Sequence, residues 1–298
     1  MRSPVAEDRQ QRRLGLVAFL LVMFSLTWLP AAALDPLWPV AADPPSTQLL
    51  RASVLYAGLM TLQPLLALFV LSRFFGGATV ALGARRPRLG WQVIAVVGPL
   101  LLAAAAAALA VLLGEADQAA EAARPAAAIH QATGGASTFF LLFGFAGAIG
   151  LLWLQATTEE LGWRGYFLPR LMRELGPWTG LVAHGALWGL WYAPLLLVTT
   201  GTGLTSLARC AAFVVTCSLL GILLGWIRIA AKSVLVAASA NATLTICAAL
   251  PLFLDGTSAP RTGIFLPVGW VPLGLAVLAI LCTRHRRDIR DFVENDAR

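Results

Sequence analysis

Apolar runs long enough to cross a bilayer recur along nearly the whole chain, separated by short stretches in which the charges gather. The runs lie near 14–34, 53–72, 91–114, 138–158, 178–199, 206–228, 233–254 and 264–282. A transmembrane helix needs about 20 such residues. The pattern predicts an all-α fold, a polytopic membrane helix bundle of about eight transmembrane helices. These form a single integral membrane domain over 1–298, with nothing left over for a soluble one. Residues 1–13 and 285–298 are polar and charged and are expected to be mobile cytoplasmic tails. Arginines ahead of the first run and Ala31-Ala32-Ala33 near its end resemble a cleavable leader. The apolar stretch is longer than such a leader has, and seven further runs follow, so it is expected to remain as the first helix. The loops 35–52 and 115–137 are the longest and are read as solvated.

Polar residues inside the runs are few. The second has Thr61, Gln63 and a kinking Pro64; the fourth has Gln155, Thr157 and Thr158. The fifth has His184 and Tyr192, and the seventh Ser239, Asn241, Thr243 and Thr245. Lipid does not solvate such groups, so the fourth, fifth and seventh helices are expected to turn them toward one another. His184 is expected to hydrogen-bond a neighbouring helix, whereas His130 and His285 read as loop residues. The stretch 161–177 mixes Trp163, Tyr166 and Phe167 with Arg164, Arg170 and Arg173, which predicts a segment lying in the headgroup plane.

Composition agrees with a membrane protein, at 58% hydrophobic and 12% charged. The net charge of +7 would suit nucleic acid if it were clustered on one surface, but its distribution excludes that partner. With the N-terminus inside and the loops alternating, 18 of the 22 Lys and Arg fall on the inner side. Both termini are therefore expected in the cytoplasm of a multi-pass cell-membrane protein, its basic face toward anionic headgroups. Cys210, Cys217, Cys247 and Cys282 all lie in apolar runs without Cys-x-x-Cys spacing and read as packing residues.

The candidate chemistry sits where the fourth run ends, in Glu159-Glu160-Leu-Gly-Trp-Arg164-Gly-Tyr-Phe. Ionisable groups at that depth are costly and mark function by default. Glu160 and Arg164 are four apart, within ion-pair reach on one helix face, and Gln155 stands likewise to Glu159. Glu159 points roughly 100° away from Glu160 around the axis and is free for another task.

With Glu-Glu-x-x-x-Arg at 159–164, the chain resembles the CAAX-protease and bacteriocin-processing (CPBP) family of intramembrane proteases. The run Glu159 to Pro169, EELGWRGYFLP, is close to the family's bacterial form. A second motif, Trp-Gly-Leu-Trp-His-x-Pro, corresponds to Trp188-Gly189-Leu190-Trp191-Tyr192-Ala193-Pro194. A third, a histidine followed four later by asparagine, falls on Asn241 and Thr245, counted from Ser233-Val234. The resemblance spans about 150–250. The resemblance implies that the first glutamate and the second-motif histidine activate water, and that the third motif supports the oxyanion. Here Glu159, Glu160 and Arg164 match, while Tyr192, Asn241 and Thr245 depart from the pattern. Tyrosine, with a reference pKa near 10, donates a hydrogen bond but is no base at pH 7. Asn241 and Thr245 retain donors for an oxyanion.

Only Glu159 and Glu160 would qualify as metal ligands here, so no metal and no cofactor are expected. Two readings stay open. One is an intramembrane endopeptidase acting on a membrane-associated peptide or protein with Glu159 as base, its catalysis reduced or lost. The other is a non-catalytic relative that binds, as an immunity, scaffold or chaperone-like membrane protein. Membrane lipid is a partner in both, and the oligomeric state is open. A transporter has no repeat to support it.

Overall fold

The computed structural model describes residues 9–34, 46–74, 83, 86–114, 138–200, 204–255, 264–283 and 285–295. Every regular element among them is helical. The order is α1 (Arg9–Leu34), α2 (Ser46–Phe74), α3 (Leu89–Leu112), α4 (Thr138–Glu160), a π-helical segment (Leu161–Phe167) and α5 (Leu168–Leu175). Then come α6 (Pro177–Thr200), α7 (Leu204–Ala231), α8 (Val234–Asp255), a 3-10 turn (Pro267–Gly269), α9 (Trp270–Cys282) and α10 (His285–Asn295). The expected loop at 115–137 and most of that at 35–52 lie outside the described residues.

This is an all-α membrane protein. Arg9–Pro30, Leu89–Leu112 and Leu204–Ala231 are long and apolar enough to cross a bilayer, with shorter apolar stretches in α2, α8 and α9. Their outward faces are apolar as well: Leu21 is 63% exposed, Phe69 65% and Leu101 65%. A water-soluble surface would not carry so much large apolar side chain, whereas lipid solvates it.

Helices α6 and α7 pack most closely because glycines face each other along their seam. A Cβ on Gly185 would strike the backbone of Cys217 and Ser218, and one on Gly221 would strike Gly185 itself. Small residues of this kind let helix backbones approach where no water drives association. Gly162 plays the same part in the π segment, where Pro64 and Phe19 leave no room for a side chain.

Two expectations about the surface are corrected. Residues 161–167 do not turn their rings and arginine out to headgroups: Trp163, Arg164 and Phe167 are fully buried, and Tyr166 nearly so. Phe19 of α1 packs on Trp163, Tyr166 and Phe167 at 5.4, 5.6 and 5.1 Å between centroids, so these rings are core. The amphipathic piece of this stretch is the short α5, with Leu168, Leu171 and Met172 inward. The second correction concerns the tails. Arg12 and Arg13 belong to α1 and bind Glu174 of α5, each at 2.7 Å. Residues 285–295 form α10, with Ile289 fully buried, and His285 begins that helix rather than sitting in a loop.

Candidate active site

The last turn of α4 carries both glutamates into the bundle, where α6 and α8 meet them. Tyr192 of α6 donates its hydroxyl proton to Glu159 Oε1 at 2.7 Å, and Gln155 Nε2 donates to the same oxygen at 3.2 Å. Asn241 of α8 donates through Nδ2 to Glu160 Oε1 at 3.1 Å, and Arg164 Nη1 reaches that oxygen at 2.8 Å. Glu159 is 2% exposed, and Glu160 and Arg164 not at all. The fourth, fifth and seventh apolar runs thus turn their polar groups toward one another.

Burying two carboxylates with one guanidinium is costly unless each acceptor finds a donor. Here neutral donors from two other helices serve one oxygen of each carboxylate. The guanidinium lies over the Trp188 ring, its Cζ 4.1 Å from the centroid, a cation–π contact that replaces part of its lost hydration. The i,i+4 pairs read from the sequence form as expected. The π segment follows at once; Leu168 N bonds to Trp163 O, the i−5 spacing of such a helix. Short π stretches of this kind recur at functional sites.

The two oxygens of each carboxylate differ. Oε1 of Glu159 and of Glu160 is bonded, while Oε2 of each is buried with no hydrogen-bond partner among the described residues. Arg164 Nε and Nη2 are likewise buried and without a hydrogen-bond partner among the described residues, and the Trp188 indole N–H lies toward Glu159. Unspent donors and acceptors therefore collect around one point.

Thr245 is placed differently from the rest of the cluster. Its hydroxyl donates to the Asn241 carbonyl oxygen at 3.0 Å, back along its own helix. His184 is fully buried, and the contact it makes through hydrogen bonding is to the Trp163 backbone of the π segment, as a buried histidine facing a neighbouring helix is expected to make. Aromatic rings surround it, Trp163 edge-on at 5.7 Å and Phe167 at 6.2 Å. Among the described residues no three His, Cys, Asp or Glu gather as metal ligands would.

Two supporting contacts go beyond what the sequence indicated. Trp191 donates its indole N–H to Gln63 Oε1 at 3.2 Å, and Thr27 donates to the same oxygen at 2.6 Å, while Gln63 Nε2 binds Leu26 O at 3.0 Å. This buried knot ties α1 and α2 to the residue next to Tyr192, whose ring lies 4.9 Å from that of Trp191. On the other side, Ser239 receives Gln92 Nε2 at 2.5 Å and Trp153 Nε1 at 3.2 Å, fixing α8 against α3 and α4. A lone glutamine inside an apolar run was the signal for the first; its partners lie too far away in sequence to be named.

Comparison with known proteins bears on the same helices. Residues 137–247 match the family described as Type II CAAX prenyl endopeptidase Rce1-like, a span that holds Glu159, Glu160, Arg164, Tyr192 and Asn241. Over 54 residues the chain is 41% identical to CAAX prenyl protease 2 of Methanococcus maripaludis, 18% of this chain and 20% of that protein. The chain therefore matches about a fifth of that relative's length.

Proposed function

We propose, from a chain whose residues 137–247 belong to the Rce1-like family of CAAX prenyl endopeptidases, that this is an intramembrane endopeptidase in which Glu159 works without a histidine. Its substrate is a membrane-associated peptide, presented from the cytoplasmic side of the cell membrane. The observation that carries this reading is the asymmetry of the Glu159 carboxylate. Tyr192 and Gln155 hold Oε1 and fix its orientation, and Oε2 remains an acceptor.

In the reaction, Glu159 Oε2 takes a proton from water as the water oxygen bonds to the scissile carbonyl carbon. The same carboxyl then returns that proton to the leaving amine as the C–N bond breaks. Arg164, held between Glu160 and the Trp188 face, has N–H groups left over for the developing oxyanion. Asn241 is spent on Glu160. It acts by holding that carboxylate, not by touching substrate. Loss of a base partner lowers rates by roughly 10²–10⁴. Turnover is accordingly slow.

The decisive experiment is cleavage of a prenylated membrane peptide by purified protein in detergent or vesicles. Slow cleavage abolished by Glu159→Gln and raised by Tyr192→His supports the peptidase. Cleavage unchanged by Glu159→Gln removes the assigned base. One observation favours the second reading, a non-catalytic binding protein: the tyrosine hydroxyl is committed to the carboxylate at 2.7 Å, where a histidine could take up a proton. Wild-type protein that binds the peptide without cleaving it, and gains nothing from Tyr192→His with Asn241→His, decides for that reading.

A further inference from the structure

A cavity of about 270 Å3 lies between α3, α7, α8 and α9, away from the polar cluster and sharing none of its residues. Ile94, Gly98 and Leu102 of α3, Leu223 and Ile227 of α7, Ala279 of α9 and Thr283 just past the end of α9 are among those lining it. Ile94 and Ala279 are exposed, so the slot opens sideways, where lipid surrounds the bundle. From Ile94 to Leu102 it runs about 12 Å along the helix axis.

Size and shape select the occupant. An α-helix is about 10 Å across with its side chains and does not fit. The volume holds roughly nine groups the size of a water molecule, which methylenes resemble, and an apolar lining keeps water itself out. One extended hydrocarbon chain satisfies both dimensions. The charge at one end selects its headgroup. Arg88 directly precedes α3, Lys232 directly follows α7, and Arg287 stands in the first turn of α10, four residues beyond Thr283; all three are exposed. Asp288 and Asp291 offset this only in part, because Arg86 and Arg290 add to the same end.

We infer that this slot binds one acyl chain of an anionic phospholipid, with the phosphate held at the Arg88, Lys232 and Arg287 end. Each methylene buried in it adds favourable transfer free energy, and the cations add selectivity near the membrane surface. The lipid belongs to the fold and does not depend on catalysis at Glu159.

The test uses full-length protein reconstituted in vesicles of equal phosphatidylglycerol and phosphatidylcholine, extracted in mild detergent and weighed by native mass spectrometry. Wild type is expected to retain one phosphatidylglycerol per chain. A Cβ added at Gly98 meets nothing within 4 Å, so Gly98→Leu fills the slot without disturbing the backbone. That variant is expected to lose retained lipid roughly tenfold or more, with unchanged helical content. Combined Arg88→Gln, Lys232→Gln and Arg287→Gln is expected to keep a lipid while losing the preference for phosphatidylglycerol. Retention by Gly98→Leu equal to wild type, or wild type that retains no lipid or retains both lipids equally, overturns the assignment.

Discussion

Arg164 is the residue on which the buried cluster balances. It binds Glu160 at 2.8 Å, lies over Trp188, and has no exposed surface. Removing one partner of a buried ion pair leaves the other charge uncompensated, at a cost of about 3–5 kcal/mol. Asn241 binds the same oxygen as a neutral interhelical donor, and such bonds between membrane helices are worth about 0.5–2 kcal/mol. Arg164→Leu is therefore expected to lower the unfolding midpoint in detergent far more than Asn241→Leu. Equal losses would mean that the guanidinium contributes no more than one hydrogen bond. At this scale the sequence is a good guide where partners are four residues apart, as with Gln155 and Glu159 or Glu160 and Arg164. It indicates Tyr192 and Asn241 only through their motif positions, because a contact across 33 or 81 residues leaves no local spacing to read.

At the scale of elements, α1 and α2 lie outside the matched span 137–247 yet polar contacts fasten them to it both inside the bundle and at its edge. Inside the bundle, Gln63 joins Thr27 of α1, the Leu26 carbonyl and Trp191 of α6. Gln63→Leu leaves the Trp191 indole N–H buried without its acceptor, which costs about 1–3 kcal/mol. The variant is expected to be less stable and to show altered tryptophan fluorescence, whereas a wild-type spectrum and midpoint would mean that the knot carries no load. At the membrane edge, Glu174 takes Arg12 and Arg13. The hydrogen bond from Arg13, then that from Arg12, holds its carboxyl below the usual range. A carboxyl lowered by folding stabilises the folded state above its unfolded pKa, and that contribution fades as pH falls through the folded value. The unfolding midpoint of wild type is thus expected to fall toward that of Glu174→Gln as pH drops from 7 to below about 4. A gap between the two proteins that persists in acid would show that the carboxylate is not the latch. The element that sequence misread is the π segment. Its mixture of aromatics and arginine suits an interface, and composition does not reveal that Phe19 and Pro64 close over it.

For the whole molecule, charge and apolarity act together. The basic residues gather at one end of the bundle: Arg12 and Arg13 where α1 begins, Arg170 and Arg173 on α5, and Lys232 and Arg287 beside α7 and α10. Glu159 lies at the end of α4 that leads into α5, so the candidate site sits toward that same end. A cytoplasmic excess of Lys and Arg sets membrane orientation. On that rule we propose that the Glu159 end, the start of α1 and α10 face the cytoplasm, and that the far end of α3, at Leu113, faces out. The four cysteines, none of them paired, can be replaced by serine to give a background for labelling. In intact cells an impermeant maleimide is expected to label Leu113→Cys, exposed where α3 ends. Asp291→Cys, exposed on α10, is expected to react only after the membrane is opened. Labelling in the reverse order would turn the bundle over. The peptidase reading would then have to take its substrate from the opposite face, and the basic rim of the lipid slot would lose its claim to the inner leaflet.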